Sequence, residues 1–199
     1  MNDDTRVASD AYRALLRAPT RELGEIMRRG ETPDFDRMAG WEYRGFNRPE
    51  PFEAQATALM KLAGIQKFIK GFYRDRTGTG FGYNEPAVQN GPEGPWIARP
   101  DPDRPKRFGF YRVVPVDPCD RDNRYLQALL LDYGAGPNPP WEPARVLRDY
   151  LVRVERGSDD LLLGAATVAL GPLRIPTNYF VLERHRHTAW SGDTHAVIK

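Results

Sequence analysis

Hydrophobic and polar residues alternate along most of the chain after residue 40, and this two-residue period is typical of β-strands with two different faces. In the sequence 147–154, for example, Tyr150 and Val152 share one face while Asp149 and Arg153 share the other. Eight such segments are bounded by Gly, Pro, Asn and Asp residues. We predict strands at 40–46, 66–74, 80–84, 108–116, 125–133, 147–154, 161–170 and 175–186.

Helical spacing of apolar residues is confined to two regions. Within 9–29 the pattern is interrupted once, at Pro19, so two short helices are predicted there, with Gly30 ending the second. Residues 51–62 carry apolar positions on one helical face and predict a third helix.

The connections between the predicted strands are too short for crossover helices, so the sheet is expected to be antiparallel. We therefore predict a mainly β fold, an eight-stranded antiparallel barrel or nearly closed sheet with N-terminal helices. The alternative is a half-open sheet wrapped on one long helix. One domain is expected over 1–199, with a helical lead-in at 1–30, the barrel at 38–186 and a tail at 187–199. Eight strands enclose packed side chains or one small ligand.

The connection at 85–107 is unusually long and contains six prolines, which exclude regular structure. Trp96 and Ile97 lie in its middle, and we expect this segment to form a flap across one end of the barrel. The glycine-rich stretch 77–82 is not followed by a helix, so it is interpreted as a hairpin turn rather than a phosphate-binding loop.

Composition narrows the functional classes. The 199 residues carry a net charge of only +2, which argues against a nucleic-acid partner held mainly by its phosphates and against a polybasic membrane anchor. A single cysteine excludes a disulfide framework. We expect no integral membrane segment, because no apolar run approaches the roughly 18 residues that span a bilayer. The polar N-terminus lacks a secretory pattern, so a cytoplasmic location is expected.

Few residues indicate catalysis. His185 and His187 lie two apart and Glu183 precedes them, which would suit a metal, but a polar strand end running into a loose tail is the favoured interpretation. Cys119 has no activating neighbours in the sequence. We therefore predict no metal, no cofactor and no recognisable catalytic set.

A carboxylate and two lysines interrupt apolar sequence. Asp132 shares a strand face with Leu130, and such a carboxylate is paired, protonated, next to a cavity, or at the wet end of the strand, where it holds the following loop. Lys67 and Lys70 fall on opposite strand faces, so one of them is a candidate for the interior. An inward lysine could pair with Asp132 or bind an anionic head group.

Gly40 and Trp41 open the first predicted strand, and Arg184 lies near the end of the last. This arrangement resembles the lipocalins, in which a glycine-tryptophan motif begins the first strand and an arginine of the last strand packs over the tryptophan. Gly40 and Trp41 are adjacent here, whereas one residue separates them in the lipocalin signature. The resemblance implies a cup-shaped barrel that binds a small lipophilic molecule; alternatively, Trp41 simply plugs one end of the barrel.

Three functions remain open at this point. The first is non-catalytic binding of a small lipophilic or amphipathic molecule in the barrel. The second is an enzyme with a carboxylate as acid or base in the cavity, and the third is a protein-interaction module that presents Trp96. The candidate ligand-binding residues are Trp41, Tyr43, Lys70, Phe72, Tyr83, Trp96, Phe110, Asp132 and Arg184.

Overall fold

The computed structural model describes residues 7–49 and 65–192. Eight antiparallel strands follow one another around a closed barrel, each paired with its neighbours in sequence and β1 paired with β8. The strands are β1 (Trp41–Pro49), β2 (Lys67–Arg74), β3 (Gly80–Pro86), β4 (Phe108–Pro115), β5 (Leu129–Asp132), β6 (Leu147–Arg153), β7 (Leu161–Leu170) and β8 (Leu173–His187). The prediction of a mainly β, eight-stranded antiparallel barrel is confirmed.

The helices are short and mostly N-terminal: α1 (Asp10–Arg17), α2 (Thr20–Arg29) and α3 (Phe35–Met38), with a 3-10 helix at Pro143–Val146. Two helices were predicted within 9–29, and Gly30 ends the second by donating its N–H to the Ile26 carbonyl. The helix predicted at 51–62 lies outside the described residues, as does His195. Within the described ranges, no helix is long and apolar enough to cross a membrane.

Three strands differ most from their predicted bounds, and the first of them, β1, ends at Pro49 instead of residue 46. β5 begins at Leu129 instead of residue 125, because Tyr125 to Ala128 form a turn closed by the Ala128 N–H and the Tyr125 carbonyl. β8 begins earlier than predicted and forms a hairpin with β7, in which Leu170 pairs with Leu173. The predicted turn between β2 and β3 is confirmed, with Asp75 accepting hydrogen bonds from the backbone of Thr77 and Thr79.

Both faces of this barrel are buried. The interior holds one apolar cluster, which includes Tyr43, Phe68, Phe72, Tyr111, Leu131, Tyr133, Leu151, Leu162, Phe180 and Leu182. The second cluster joins the outer face of the sheet to α1 and α2, and includes Tyr12, Leu15, Leu23, Met27, Ile69, Leu130, Tyr150, Val152, Leu163 and Val181. The apolar face of β6, formed by Tyr150 and Val152, therefore points outward.

A buried ion pair of the barrel holds the residue that caps α1. The Ser9 hydroxyl caps the helix by accepting the Tyr12 N–H, and the Ser9 N–H donates to the Glu183 carboxylate. Glu183 also pairs with Arg44, at 2.6 Å, and both side chains are buried. The helix start is thus held by charge-assisted bonds as well as by apolar contact.

The two ends of the barrel are built differently. At one end, α3 packs Met38 and Phe35 against the interior, and the Phe35 and Phe72 rings lie 6.4 Å apart. At the same end, the Arg184 guanidinium lies 4.8 Å from the centre of the Trp41 ring. This is the tryptophan-arginine contact expected from the lipocalin-like sequence pattern. The opposite end, called the loop end below, carries the connections β1–β2, β3–β4, β5–β6 and β7–β8.

The proline-rich segment 87–107 is anchored to the outer wall. Its Trp96 is buried, donates its Nε1–H to the Gly45 carbonyl of β1 and meets the Tyr12 ring of α1 edge-on. Lys67 of β2 lies 3.7 Å from the centre of the Trp96 ring. The expectation that this tryptophan belongs to a flap across the barrel end is wrong, because its partners lie on the outer face of the strands.

Candidate functional site

Aromatic rings line the barrel interior by lying on glycines of neighbouring strands. A Cβ atom added at Gly45 would come within 2.3 Å of the Phe68 ring, and one at Gly164 within 2.1 Å of the Phe180 ring. The Tyr111 ring covers Gly82 in the same way. The missing side chains let these rings lie flat against the wall, which brings them around the side chain of Lys70.

Lys70 projects from β2 into the interior and is buried. Its Nζ donates to Asn84 Oδ1 at 2.9 Å, to the Tyr133 hydroxyl at 2.5 Å and to Asp149 Oδ2 at 3.2 Å. Three donors meet three acceptors, so the hydrogen-bonding capacity of the ammonium is fully used. We call Lys70, Asn84, Tyr133 and Asp149 the interior polar cluster.

Four rings surround the same nitrogen. The Lys70 Nζ lies between 4.7 and 5.6 Å from the ring centres of Phe68, Tyr111, Tyr133 and Phe180. Aromatic faces attract a cation and exclude water from it. The polar cluster therefore lies in an aromatic enclosure.

Asp149 leaves one polar atom of this enclosure unsatisfied. Its Oδ2 accepts from both Lys70 and the Tyr133 hydroxyl, whereas its Oδ1 has no hydrogen-bond partner among the described residues, although the side chain is only 6% exposed. A buried acceptor without a donor costs about 1–3 kcal/mol, and more when it is charged. The barrel interior thus contains one buried acceptor atom that no described residue satisfies.

Burial controls the protonation of the cluster. Desolvation raises the pKa of Asp149 and lowers the pKa of Lys70, and their mutual attraction opposes both shifts. Burial also raises the pKa of Tyr133 well above its ordinary value, so its hydroxyl remains a donor at neutral pH. The cluster has no net charge, whether the proton lies on Lys70 or on Asp149.

The nine candidate residues fall into three places. Inside the barrel are Tyr43, Lys70 and Phe72, all buried. Trp41 and Arg184 contact each other at the end where α3 packs, and the His187 ring lies tilted against Trp41 with 3.5 Å between the ring centres. The remaining four, on the outside of the barrel, are Tyr83, Trp96, Phe110 and Asp132.

Asp132 lies at the solvent-facing end of its strand, which is one of the environments that the sequence suggested for it. It pairs with Arg148 at 3.1 Å and accepts the N–H groups of Gly134 and Ala135, which holds the loop after β5. The suggested pairing of an inward lysine with Asp132 is wrong, because Lys70 pairs with Asp149 instead.

Asp149, Tyr133, Asn84 and the surrounding rings were missed as site residues. The sequence did contain a signal for Asp149. This carboxylate shares a strand face with Leu147 and Leu151, just as Asp132 shares one with Leu130. It was overlooked because its strand has a more apolar opposite face, which the helices cover.

A second charged cluster lies on the outer wall near the C-terminal end of β8. Glu42 accepts from the Tyr83 hydroxyl at 2.7 Å and from Arg186 Nε at 2.6 Å. Glu85 pairs with Arg107 at 3.1 Å, and the Arg107 guanidinium also lies 4.9 Å from the centre of the Trp190 ring. Burial and the neighbouring Glu42 raise the pKa of Glu85 to about 7.

A surface groove of about 500 Å³ runs between α1, α2 and the start of β7. Its walls are mainly apolar, with Leu15, Ile26 and Leu161 at its base and Arg17 and Glu22 among its polar residues. The interior polar cluster is separate from it, since none of the four cluster residues lines the groove.

Fold and site together define an antiparallel eight-stranded barrel with a buried polar centre. Neither a protein-family model, nor a curated protein, nor a solved structure matches this chain.

Proposed function

We propose that the barrel is a lipocalin-like binder of a small, neutral, amphipathic molecule. The observation that carries this proposal is Asp149 Oδ1, which has no hydrogen-bond partner in the described part of the chain and is buried beside Lys70 inside the ring of aromatic side chains. A closed barrel of eight strands has the size at which one small ligand can be held. The Trp41–Arg184 contact supports the resemblance to lipocalins.

The cluster favours a particular ligand chemistry. Lys70 already neutralises Asp149, so a charged ligand would add an unpaired charge to a buried site. A neutral molecule with a hydroxyl or amine donor would satisfy Oδ1, while its apolar body would contact rings such as Phe68 and Phe180. The ligand is thus expected to be flat, apolar and equipped with one donor.

The loop end is the proposed entrance. Ala144 of the 3-10 helix and Ile65 pack against the interior cluster at this end. Asn84 of the polar cluster donates to the Gly109 carbonyl, and a Cβ added at Gly109 would lie 3.3 Å from the Ala144 Cβ. Displacement of this short helix would open a path for a ligand past the Asn84 side chain to Lys70.

Two matched probes test the proposal by titration calorimetry on the full chain. The first, 2-naphthol, carries a hydroxyl donor, whereas the second, 2-methoxynaphthalene, has the same ring system without a donor. We expect 2-naphthol to bind about tenfold more tightly, because a hydrogen bond to a charged acceptor contributes roughly 1.5 kcal/mol or more.

A double variant, Lys70→Met with Asp149→Leu, supplies the control. It replaces the buried pair by apolar side chains of similar size and should abolish the preference for 2-naphthol. Absence of binding by both probes, or an equal preference in the double variant, would contradict the proposal. Native mass spectrometry of protein from its own host would then show whether a different molecule is retained.

A further inference from the structure

Two of the five lysines in the chain are buried on β2, three residues apart, and their surroundings differ in one chemical respect. Lys67 donates to Asn90 Oδ1 and to the carbonyls of Gly94 and Pro95. None of these three acceptors can take up a proton. The Lys67 Nζ thus lies against Trp96 without an adjacent proton acceptor, and burial and the nearby Arg44 lower its pKa to about 8.

Lys70 has an acceptor that can remove its proton. Asp149 Oδ2 lies 3.2 Å from its Nζ, and the Tyr133 hydroxyl bridges the two, accepting from Lys70 at 2.5 Å and donating to Asp149 at 3.0 Å. Transfer of the proton, either directly or through this hydroxyl, leaves a neutral amine beside a neutral carboxyl group. In an enclosure that disfavours charges, this exchange removes two charges at once.

A neutral amine in an apolar enclosure next to a proton donor has the features of a lysine that forms imines with carbonyl compounds. Here the amine is Lys70, the donor is Asp149, and the four rings around Nζ exclude the water that would hydrolyse an imine. We infer that Lys70 binds small aromatic or aliphatic aldehydes covalently and reversibly, as an imine on its Nζ. This inference rests on the proposed function, since the aldehyde must enter the same barrel.

The reaction balances with the groups present. The lone pair of the neutral amine attacks the carbonyl carbon, a C–N bond forms, and the carbonyl oxygen takes a proton from Asp149. The amine nitrogen then returns a proton to Asp149, which passes it to the hydroxyl group as this leaves as water. The C=N bond forms with loss of the last amine proton to Asp149, so ammonium, carboxylate and aldehyde become imine, carboxyl group and water.

Reductive trapping on the full chain tests the inference. The protein is incubated with 2-naphthaldehyde and sodium cyanoborohydride, and the naphthylmethyl groups are located by peptide mass spectrometry. With only five lysines in the chain, each site can be quantified separately. We expect occupancy at Lys70 to exceed that at Lys67 or Lys106 by about tenfold, because Lys70 alone among these three described lysines has an adjacent proton acceptor.

Two variants serve as matched controls. Lys70→Arg keeps a cation beside Asp149 but cannot form the adduct, so labelling should fall to the level of the other lysines. Lys67→Arg alters the neighbouring buried lysine and should leave labelling of Lys70 unchanged.

The outcomes separate the two proposals. Labelling spread evenly over the lysines, or unchanged in Lys70→Arg, would overturn the imine site. If 2-naphthol binds in the barrel and 2-naphthaldehyde gives no adduct at Lys70, the covalent inference fails and the proposed binding function stands. If neither probe binds, both fail.

Discussion

Lys70 and Asp149 form a buried ion pair, and the desolvation of its two charges lowers the stability of the folded state. Desolvation of two charges commonly offsets most of their attraction, so a pair of this kind is a poor source of stability. Apolar side chains could fill the same space within the interior apolar cluster.

A single replacement in this pair should therefore destabilise the barrel much more than the double replacement does. Lys70→Met leaves Asp149 unpaired and should lower the free energy of unfolding by about 3–5 kcal/mol, whereas adding Asp149→Leu should recover most of that loss. Urea denaturation of the three proteins measures both effects. A double variant as unstable as Lys70→Met would show that the pair itself stabilises the barrel.

Glu85 is the residue whose titration should be visible near neutral pH. Its carboxyl group faces Glu42 of β1, Arg186 of β8 and Arg107 before β4, and its pKa is about 7 in the folded chain against an ordinary value of 4.5. Between these two values the folded chain holds a proton that the unfolded chain has released. Stability contributed by this group is hence largest at low pH and is lost as the pH rises through about 7.

Glu85→Gln removes this titration while keeping the size of the side chain. Thermal unfolding of both proteins is measured from about pH 5 to about pH 8, in steps of about one pH unit. The melting temperature of the natural chain should fall relative to that of the variant as the pH increases. A constant difference across this range would contradict the raised pKa.

The position of the segment between β3 and β4 against the barrel depends on one side chain, that of Trp96, more than on its many prolines. Trp96 lies between Tyr12 of α1 and Lys67 of β2, and thereby joins the segment, a helix and the barrel wall. Trp141, in the β5–β6 connection, is 81% exposed. The two tryptophans offer a matched comparison between a buried anchor and a surface ring.

Trp96→Ala should cost about 3–5 kcal/mol of stability and expose the segment 87–107 to proteases, because it removes a large buried side chain. Trp141→Ala should change stability by no more than about 0.5 kcal/mol. Denaturation combined with limited proteolysis and mapping of the first cut distinguishes the two. Equal protease sensitivity in both variants would show that Trp96 does not hold the segment.

At the level of the whole molecule, the barrel has apolar residues on both its inner and its outer face, and both sets must be buried. Its interior is covered by its own side chains, and its outer wall by α1 and α2, which contribute Leu15, Leu23 and Met27 to the outer cluster. The helices are therefore part of the core and not an appendage. Loss of this cover would expose Val152 and Leu163 to water.

Leu23→Asp should consequently destabilise the entire barrel, because it buries a charge between α2 and the sheet. Arg21→Asp adds the same side chain to the same helix at a position that is 91% exposed, and is expected to change stability by no more than about 0.5 kcal/mol. Circular dichroism and tryptophan fluorescence during thermal unfolding should report one common transition at lower temperature for Leu23→Asp. Loss of α2 alone, with the barrel transition unchanged, would contradict this view.

The local pattern of the sequence was sufficient to predict the eight strands. A two-residue period and turn residues at each boundary fixed all eight, and short connections fixed their antiparallel order, because these properties depend on neighbours in the chain. The contact between Trp41 and Arg184, which the lipocalin-like pattern implied, is also present, and the pairing of β1 with β8 brings the two residues together.

Which face points inward was decided only by the tertiary structure. Alternation separates Asp149 from Tyr150, but the helices cover the more apolar face from outside, so the face with the carboxylate became the interior. In the same way, Trp96 found its partners on α1 and β2, both distant from it in sequence. Strand sequence thus determined the barrel, whereas the site arose from contacts between strands 14 to 79 residues apart, which no local pattern records.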